Sequence, residues 1–348
     1  MTILLIIIGL ALIILVHEAG HFLAARLMGI RVLEFGFGFP PRLWSREVGG
    51  TLISLNALPF GGFVRLYGED AAAEDNRGRA FVHQPFGKKA VTLLAGVFMN
   101  VLFGWLMFSL VFSLGIPEHL LLAGVSPDSP AAAAGLMPGD VVFEAAIGPR
   151  VLTDPVRSGE LIAAVKEYKG QPVQLVIRGE EGMRTVSLVG RTNPPPGEGP
   201  LGVELSEIGF AALSLFPAVR EGFRATVEAL AGVTAGFWEL VTSVFTRPEI
   251  LQSVAGPVGI VNVALQAGSL GTVYLIQLLA LISLNLAVLN LIPFPALDGG
   301  RFILALLERA RGIAVPSRIQ IAVNAVGIVA LMILMVVVTI QDIGRIVR

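Results

Sequence analysis

Four long apolar runs dominate the chain, and each is long enough to cross a bilayer as a helix, which takes about 20 residues. The first extends from Thr2 to about Met28 and is interrupted by His17, Glu18 and His21. The second, Ala90–Pro117, carries no charge. The third lies within the uncharged stretch Ile250–Leu297, where Gly268, Gly271, Pro293 and Pro295 trim the helix to roughly Thr272–Ile292. The fourth is Ile319–Gln341. Between these runs the pattern changes. Thr51–Leu58 and Gly61–Tyr67 alternate as strands do, around a turn at Pro59–Gly62. Phe35–Pro41 is apolar but broken by Gly and Pro, which excludes a helix. Such backbone is tolerated at membrane depth only when it is buried in protein or lines a cavity. A β-loop dipping into the cytoplasmic leaflet is therefore expected at about 31–67.

Residues 121–205 have shorter elements, as an independent soluble domain has. A strand at Leu121–Val125 precedes Ser126–Pro130, Ala131–Gly135 and the turn Leu136-Met-Pro-Gly-Asp140. An amphipathic helix at Ser158–Tyr168 follows, then strands at Val173–Ile177 and Thr185–Val189. The Pro/Gly-rich Asn193–Pro200 closes the domain. Beyond it, Ala218–Thr246 has helical periodicity and a few charges, which predicts an amphipathic helix lying at the outer membrane face. A fifth crossing there would put the histidine-bearing segments on inconsistent sides.

Composition supports the membrane reading. The chain is 54% hydrophobic and only 15% charged, against roughly 25% charged in soluble domains. Its formal charge of −1 gives no sign of a nucleic-acid partner. Without cysteine there are no thiolate ligands, so any metal must use His, Asp or Glu. Lys and Arg set the orientation: nine fall in Arg26–Lys89, four in Arg301–Arg318 and none in Glu118–Pro149. By the positive-inside rule the first two segments face the cytoplasm, while 118–250 and both termini lie outside. No Lys or Arg precedes the first run and no small-x-small site follows it, so a retained helix is expected rather than a cleaved signal peptide.

The candidate chemistry sits inside the first run. His17-Glu-Ala-Gly-His21 places two imidazoles one helical turn apart on the same face, where both can bind one ion. Glu18 follows directly and is placed to act as general base. Zinc suits nitrogen and oxygen ligands in a tetrahedral set, and ionisable residues inside a span usually face a functional interior. A third ligand is needed. His83 and His119 lie in opposite loops and read as surface residues, whereas Asp298 is the only acid between Glu249 and Glu308 and ends the third apolar stretch. An Asp at that position also serves as a helix cap. Two other readings stay open from the residues alone. One is a non-catalytic receptor with a structural His pair. The other is a metal transporter, although no internal repeat of the usual kind is found.

Larger patterns narrow the choice. Ala134-Gly-Leu-Met-Pro-Gly-Asp140, followed by helix and paired strands, resembles a bacterial PDZ domain. His17-Glu-x-x-His21, Leu297-Asp-Gly299, Gly96-Val-Phe-Met-Asn100, Gly256-Pro-Val-Gly-Ile260 and Ser283–Pro293 together resemble the site-2 protease family of intramembrane zinc metalloproteases. The similarity is greatest to the bacterial regulator-of-sigma-E protease group. It covers nearly the whole chain and departs in having one PDZ-like domain where some members carry two. The resemblance implies that His17, His21 and Asp298 bind one Zn²⁺, that Glu18 is the catalytic base, and that Asn285 and Asn290 face the cleft and bind substrate. It also implies that Phe60–Val64 is a membrane-re-entrant β-loop. The implied activity is regulated intramembrane proteolysis in a bacterial inner membrane. The implied substrates are single-span proteins of the anti-sigma-factor or signal-peptide-remnant class, with a peptide or trimmed C-terminus at the PDZ domain. Membrane lipid is the other expected partner, and nucleic acid is not one.

The expected fold is a polytopic α-helical membrane protein with four transmembrane helices, the cytoplasmic-side β-loop and an inserted α+β PDZ domain outside. The expected divisions are a membrane half at 1–120, the PDZ domain at 121–205, linker and amphipathic helix at 206–270, and a second membrane half at 271–348.

Overall fold

In the computed structural model the uncharged runs form helices, the arrangement in which a single segment satisfies all its own backbone N–H and C=O groups. The structure describes residues 2–69, 77–153, 155–179, 182–243, 246–247, 255–313 and 315–346. Residues 70–76 of the first connection and 248–254 of the expected linker lie outside these. The elements in chain order are α1 (Thr2–Leu27), β1 (Val32–Val48), β2 (Thr51–Leu66), α2 (Phe86–Leu114), β3 (Ile116–Val125), α3 (Pro130–Ala133), β4 (Val141–Ile147), β5 (Arg150–Thr153), α4 (Ser158–Glu167), β6 (Pro172–Gly179), β7 (Gly182–Val189), β8 (Val203–Phe210), α5 (Leu215–Ser243), α6 (Pro257–Leu270), α7 (Thr272–Leu291), α8 (Asp298–Arg311) and α9 (Ser317–Ile346). Two single-turn 3-10 segments, Arg77–Arg79 and Phe81–His83, lie between β2 and α2. The chain forms two compact units, residues 1–111 with 215–348, and residues 112–214.

Four helices of the first unit are long and apolar enough to cross a membrane: Ile3–Leu27, Phe86–Leu114, Thr272–Leu291 and Arg318–Arg345. The expectation of a polytopic α-helical protein with a small insertion is nevertheless wrong. Helix makes up 56% and strand 24%, with one sheet of two long strands and another of six. The physical reason lies first in β1 and β2, of 17 and 16 residues. Alternation marks only part of them, and the Gly- and Pro-broken stretch Phe35–Pro41 is strand as well. Gly and Pro there let the strand bend without ending it. As a result Val32–Phe37 lies between two parts of β2, Leu52–Leu55 and Gly62–Leu66, while Arg42–Val48 pairs with Thr51–Asn56. Among the described pairings, Gly62–Leu66 has a strand partner on one side only.

A buried carboxylate fixes this register. Glu34 is 2% exposed. Its Oε1 accepts from Arg42 Nη2 at 2.7 Å and Ser54 Oγ at 2.7 Å, and its Oε2 accepts from Arg65 Nη2 at 3.0 Å. The three donors come from each of the paired stretches, so one side chain ties them together. Elsewhere in the unit, α5 packs on α2 through Trp105, whose indole N–H donates to Val219 O at 3.0 Å and whose ring meets Phe223 edge-on. Asp342 of α9, 2% exposed, accepts from the backbone N–H groups of Gly256 and Gly259 at 3.2 and 2.7 Å and so caps α6.

The second unit is an antiparallel sheet in the order β7-β6-β4-β3-β8, with β5 paired to β4. Alternating positions of β3 and β6 bury Leu120, Leu122, Val173, Leu175 and Ile177, β4 adds Val142 and, past a register shift at Val142–Glu144, Ala145 and Ile147, and α4 lays Leu161, Ala164 and Val165 on them. Ser129 Oγ accepts from Ala132 N at 3.1 Å to start α3. Asp140 accepts from Met137 N at 3.0 Å and Arg184 Nη2 at 3.2 Å, closing the Pro-Gly-Asp turn. β8 is an edge strand with β3 as its neighbour. A groove of about 760 Å³ runs between α4 and residues 199–205.

Glu34→Ala strands the Ser54 and arginine donors and is expected to loosen the β1–β2 pairing by about 1–3 kcal/mol. Hydrogen exchange of the Gly62–Leu66 amides, faster in the variant while α2 stays protected, checks this.

Candidate metal centre

Positions 17 and 21 share one face of α1 by helical spacing, and each residue is 9% exposed. Their Nε2 atoms stand 3.2 Å apart. Asp298, the first residue of α8, brings Oδ2 to 3.1 Å from His17 Nε2 and 3.2 Å from His21 Nε2. The three donor atoms form a nearly equilateral triangle. A tetrahedral zinc ion with bonds of about 2.0–2.1 Å needs ligand-to-ligand edges of roughly 3.3–3.4 Å, so the residues fit the ion after shifts of a few tenths of an ångström. Two imidazoles and a carboxylate are also the donor set of open zinc sites, which leave a fourth position for substrate or water.

Each imidazole is held from behind. His21 Nδ1 lies 2.8 Å from Thr92 O. A carbonyl only accepts, so Nδ1 carries the proton and the Nε2 lone pair is directed at the triangle. His17 Nδ1 lies 3.2 Å from the side-chain amide of Asn100, which is fully buried. Amide O and N are assigned from their partners. With Oδ1 turned to a His17 Nδ1–H, the second Nε2 lone pair points at the same triangle. In the opposite orientation Oδ1 is a buried acceptor with no partner. The backbone carbonyl of Asn100 accepts from Ser283 Oγ of α7 at 2.8 Å, which ties α2 to α7 at this level. Gly96 completes the pocket wall: a Cβ there would lie 2.4 Å from His21 Nε2.

A cavity of about 360 Å³ opens on the triangle. Glu18 lines it, beside Gly62, Phe63 and Val64 of β2, Asn290 of α7 and Arg301 of α8. Glu18 Cγ approaches Gly62 so closely that a Cβ there would lie 3.1 Å from it. Arg301 donates to Glu69 Oε1 across this cavity, joining α8 to the end of β2.

The structure thus brings together His17, Glu18, His21, Asp298 and, more loosely, Asn290, whose Nδ2 lies 3.5 Å from His17 Nε2. Asn285 is not brought there. Its Nδ2 donates to Leu281 O at 2.8 Å, and it lines an apolar groove among α5, α6 and α7 that shares Leu286 with the metal cavity. His83 is exposed and His119 packs on Phe143. Thr92, Gly96 and Asn100 carry no assigned role in the sequence reading. Their spacing of four residues in an uncharged span is the signal that puts a carbonyl, a gap and an amide on one face.

Peptidase family M50 matches residues 5–334. A Clostridium perfringens protein and a Nostoc protein, both named "putative zinc metalloprotease", are 36% identical over 331 residues and 34% identical over 346 residues. The first alignment covers 95% of this chain and 95% of the relative, and the second 95% and 93%. A membrane metalloprotease of Arabidopsis thaliana, named as chloroplastic, is 33% identical over 317 residues, covering 87% of this chain and 70% of its own.

Asn100→Leu is expected to weaken zinc binding about 10–100-fold by releasing the His17 ring, as read by competition with a chelator. Gly96→Ala should prevent stoichiometric zinc uptake altogether.

Proposed function

The chain belongs to peptidase family M50, and on that premise we propose that this membrane metalloprotease cleaves its substrates within the bilayer. The bond hydrolysed lies in or next to the transmembrane helix of a single-span protein. His17, His21 and Asp298 hold one zinc ion, and Glu18 is the general base. The observation that carries this reading is the depth of the histidine pair, inside the apolar span Ile3–Leu27 and open to a cavity that also holds Glu18. Polar groups are costly at that depth and persist where they act on something.

When bound, zinc supplies Lewis acidity, lowering the pKa of water toward about 7 and polarising the scissile carbonyl. Glu18 takes the proton of the attacking water and passes it to the leaving amine. Asn100 and Thr92 keep both imidazoles turned to the ion. A substrate helix hides its carbonyls in hydrogen bonds, so it unwinds before cleavage. The one-sided strand Gly62–Leu66, which lines the cavity, suits an unwound segment added as a further strand. Asn290 meets backbone groups freed in this way. Asn285 binds substrate in the apolar groove that adjoins the cavity at Leu286.

Within the family we assign the chain to the regulator-of-sigma-E protease group, in the inner membrane, acting in regulated proteolysis of anti-sigma factors or signal-peptide remnants. Residues 121–205, within the second unit, are assigned as a single extracytoplasmic PDZ domain. Its edge strand β8 and the groove beside α4 have the form that takes a peptide or trimmed C-terminus by strand addition.

Glu18→Gln should lower cleavage of a single-span model substrate in detergent by at least about 100-fold at unchanged zinc content. Equal cleavage by the variant would remove Glu18 from the reaction. Proline at Phe63 or at Val64 should slow cleavage, and unchanged rates in both would count against strand addition.

A further inference from the structure

We propose that a second cavity, at the end of α1, binds the phosphate of an anionic phospholipid. The cavity measures about 410 Å³ and lies among the last residues of α1, the start of β1, the Gly49-Gly50 turn and the 3-10 segment at Arg77–Arg79. It shares no lining residue with the metal cavity. Arg26, Arg31 and Arg79 line it, and no Asp or Glu does. Among the described residues none of the three forms an ion pair, whereas Arg42, Arg65 and Arg301 of the same unit all do. Three arginines from three separate elements therefore line one space that holds no counter-anion among the described residues. Their mutual repulsion falls when an anion enters.

Two features prepare the space. Arg26 lies against the Phe22 ring at 5.7 Å and Arg31 against Tyr67 at 5.7 Å, contacts that favour these positions of the two guanidinium groups. Gly49 and Gly50 adopt the left-handed backbone at φ +59° and +77°. The wall beside the Arg26 guanidinium thus carries no side chain; a Cβ on Gly49 would stand 3.3 Å from Arg26 Nη1. Planar guanidinium forks match phosphate oxygens in pairs, with a specificity a diffuse charge lacks.

The surroundings favour a lipid over free phosphate. Arg26 belongs to the last turn of α1, and the apolar span ends beside it at Leu27, the level at which headgroups lie. Leu27 is 80% exposed and Val48, next to Gly49, is 52% exposed. Exposed apolar neighbours suit acyl chains and offer nothing to a soluble ion. Basic residues next to a span attract anionic lipid at about 1 kcal/mol each, and a shared cavity adds geometry to that attraction.

The test uses the full chain in phosphatidylcholine nanodiscs with or without phosphatidylglycerol, reading retained lipid by native mass spectrometry and the unfolding temperature. The triple variant Arg26→Gln, Arg31→Gln, Arg79→Gln is compared with Arg309→Gln, Arg311→Gln, Arg318→Gln, which removes equal charge from another basic segment. Phosphatidylglycerol should be retained by the wild type and bind at least about tenfold more weakly to the first variant than to the second, which reports the loss of diffuse charge alone. Inorganic phosphate is titrated in a parallel arm. Stabilisation by phosphate without lipid retention would overturn the lipid assignment in favour of a soluble ion. Equal losses in both variants, or no response to either ligand, would overturn the site.

Discussion

Two imidazoles on a helix that is mostly Leu, Ile, Val and Ala have to meet a carboxylate from another helix, and most of the first unit is arranged around that requirement. Polar groups in such surroundings are costly unless each is satisfied. Helical spacing sets the histidines on one face, but spacing alone leaves both rings free to turn. The Thr92 carbonyl and the Asn100 amide remove that freedom from one side, and Asp298 closes the triangle from the other. Gly96 matters by what it lacks, because the rings occupy the volume a methyl group would need. The Ser283 bond to the Asn100 carbonyl then ties the second helix to the seventh, close to the helix that presents Asp298.

The long hairpin supplies the other wall. Glu34 gathers Arg42, Ser54 and Arg65 into one buried cluster, and this determines where Gly62–Val64 runs relative to Glu18. An exposed ion pair contributes little, but a 2% exposed carboxylate that receives three donors is a positional constraint. The Arg301–Glu69 pair joins the end of the hairpin to the helix that begins with Asp298. Ligand, base and strand edge are thereby connected through named side chains.

Much of this is legible in the chain. The spans stand out because a run without charge has few other uses, and the histidine pair because positions four apart share a helix face. Asp298 stands out as a lone acid in a long uncharged stretch. The hairpin is harder. Gly36, Gly38, Pro40 and Pro41 interrupt the alternation that identifies strands, so the extent of β1 is hidden, and with it the mixed character of the fold. The asparagines of α7 show a different limit. Asn285 and Asn290 are five residues apart, about 140° around a helix, so they cannot share one face. Composition reveals that a span holds polar residues, and only packing reveals which one faces the histidines.

The most direct test of the account is X-ray absorption at the zinc edge on the purified chain and on Asp298→Asn. The wild type should bind one zinc per chain, with two imidazole nitrogens and oxygen donors at about 2.0–2.1 Å, and the variant should lose most of the metal or change its oxygen shell. Zinc bound without an imidazole signature, or an identical spectrum in the variant at full occupancy, would contradict the His17, His21 and Asp298 site.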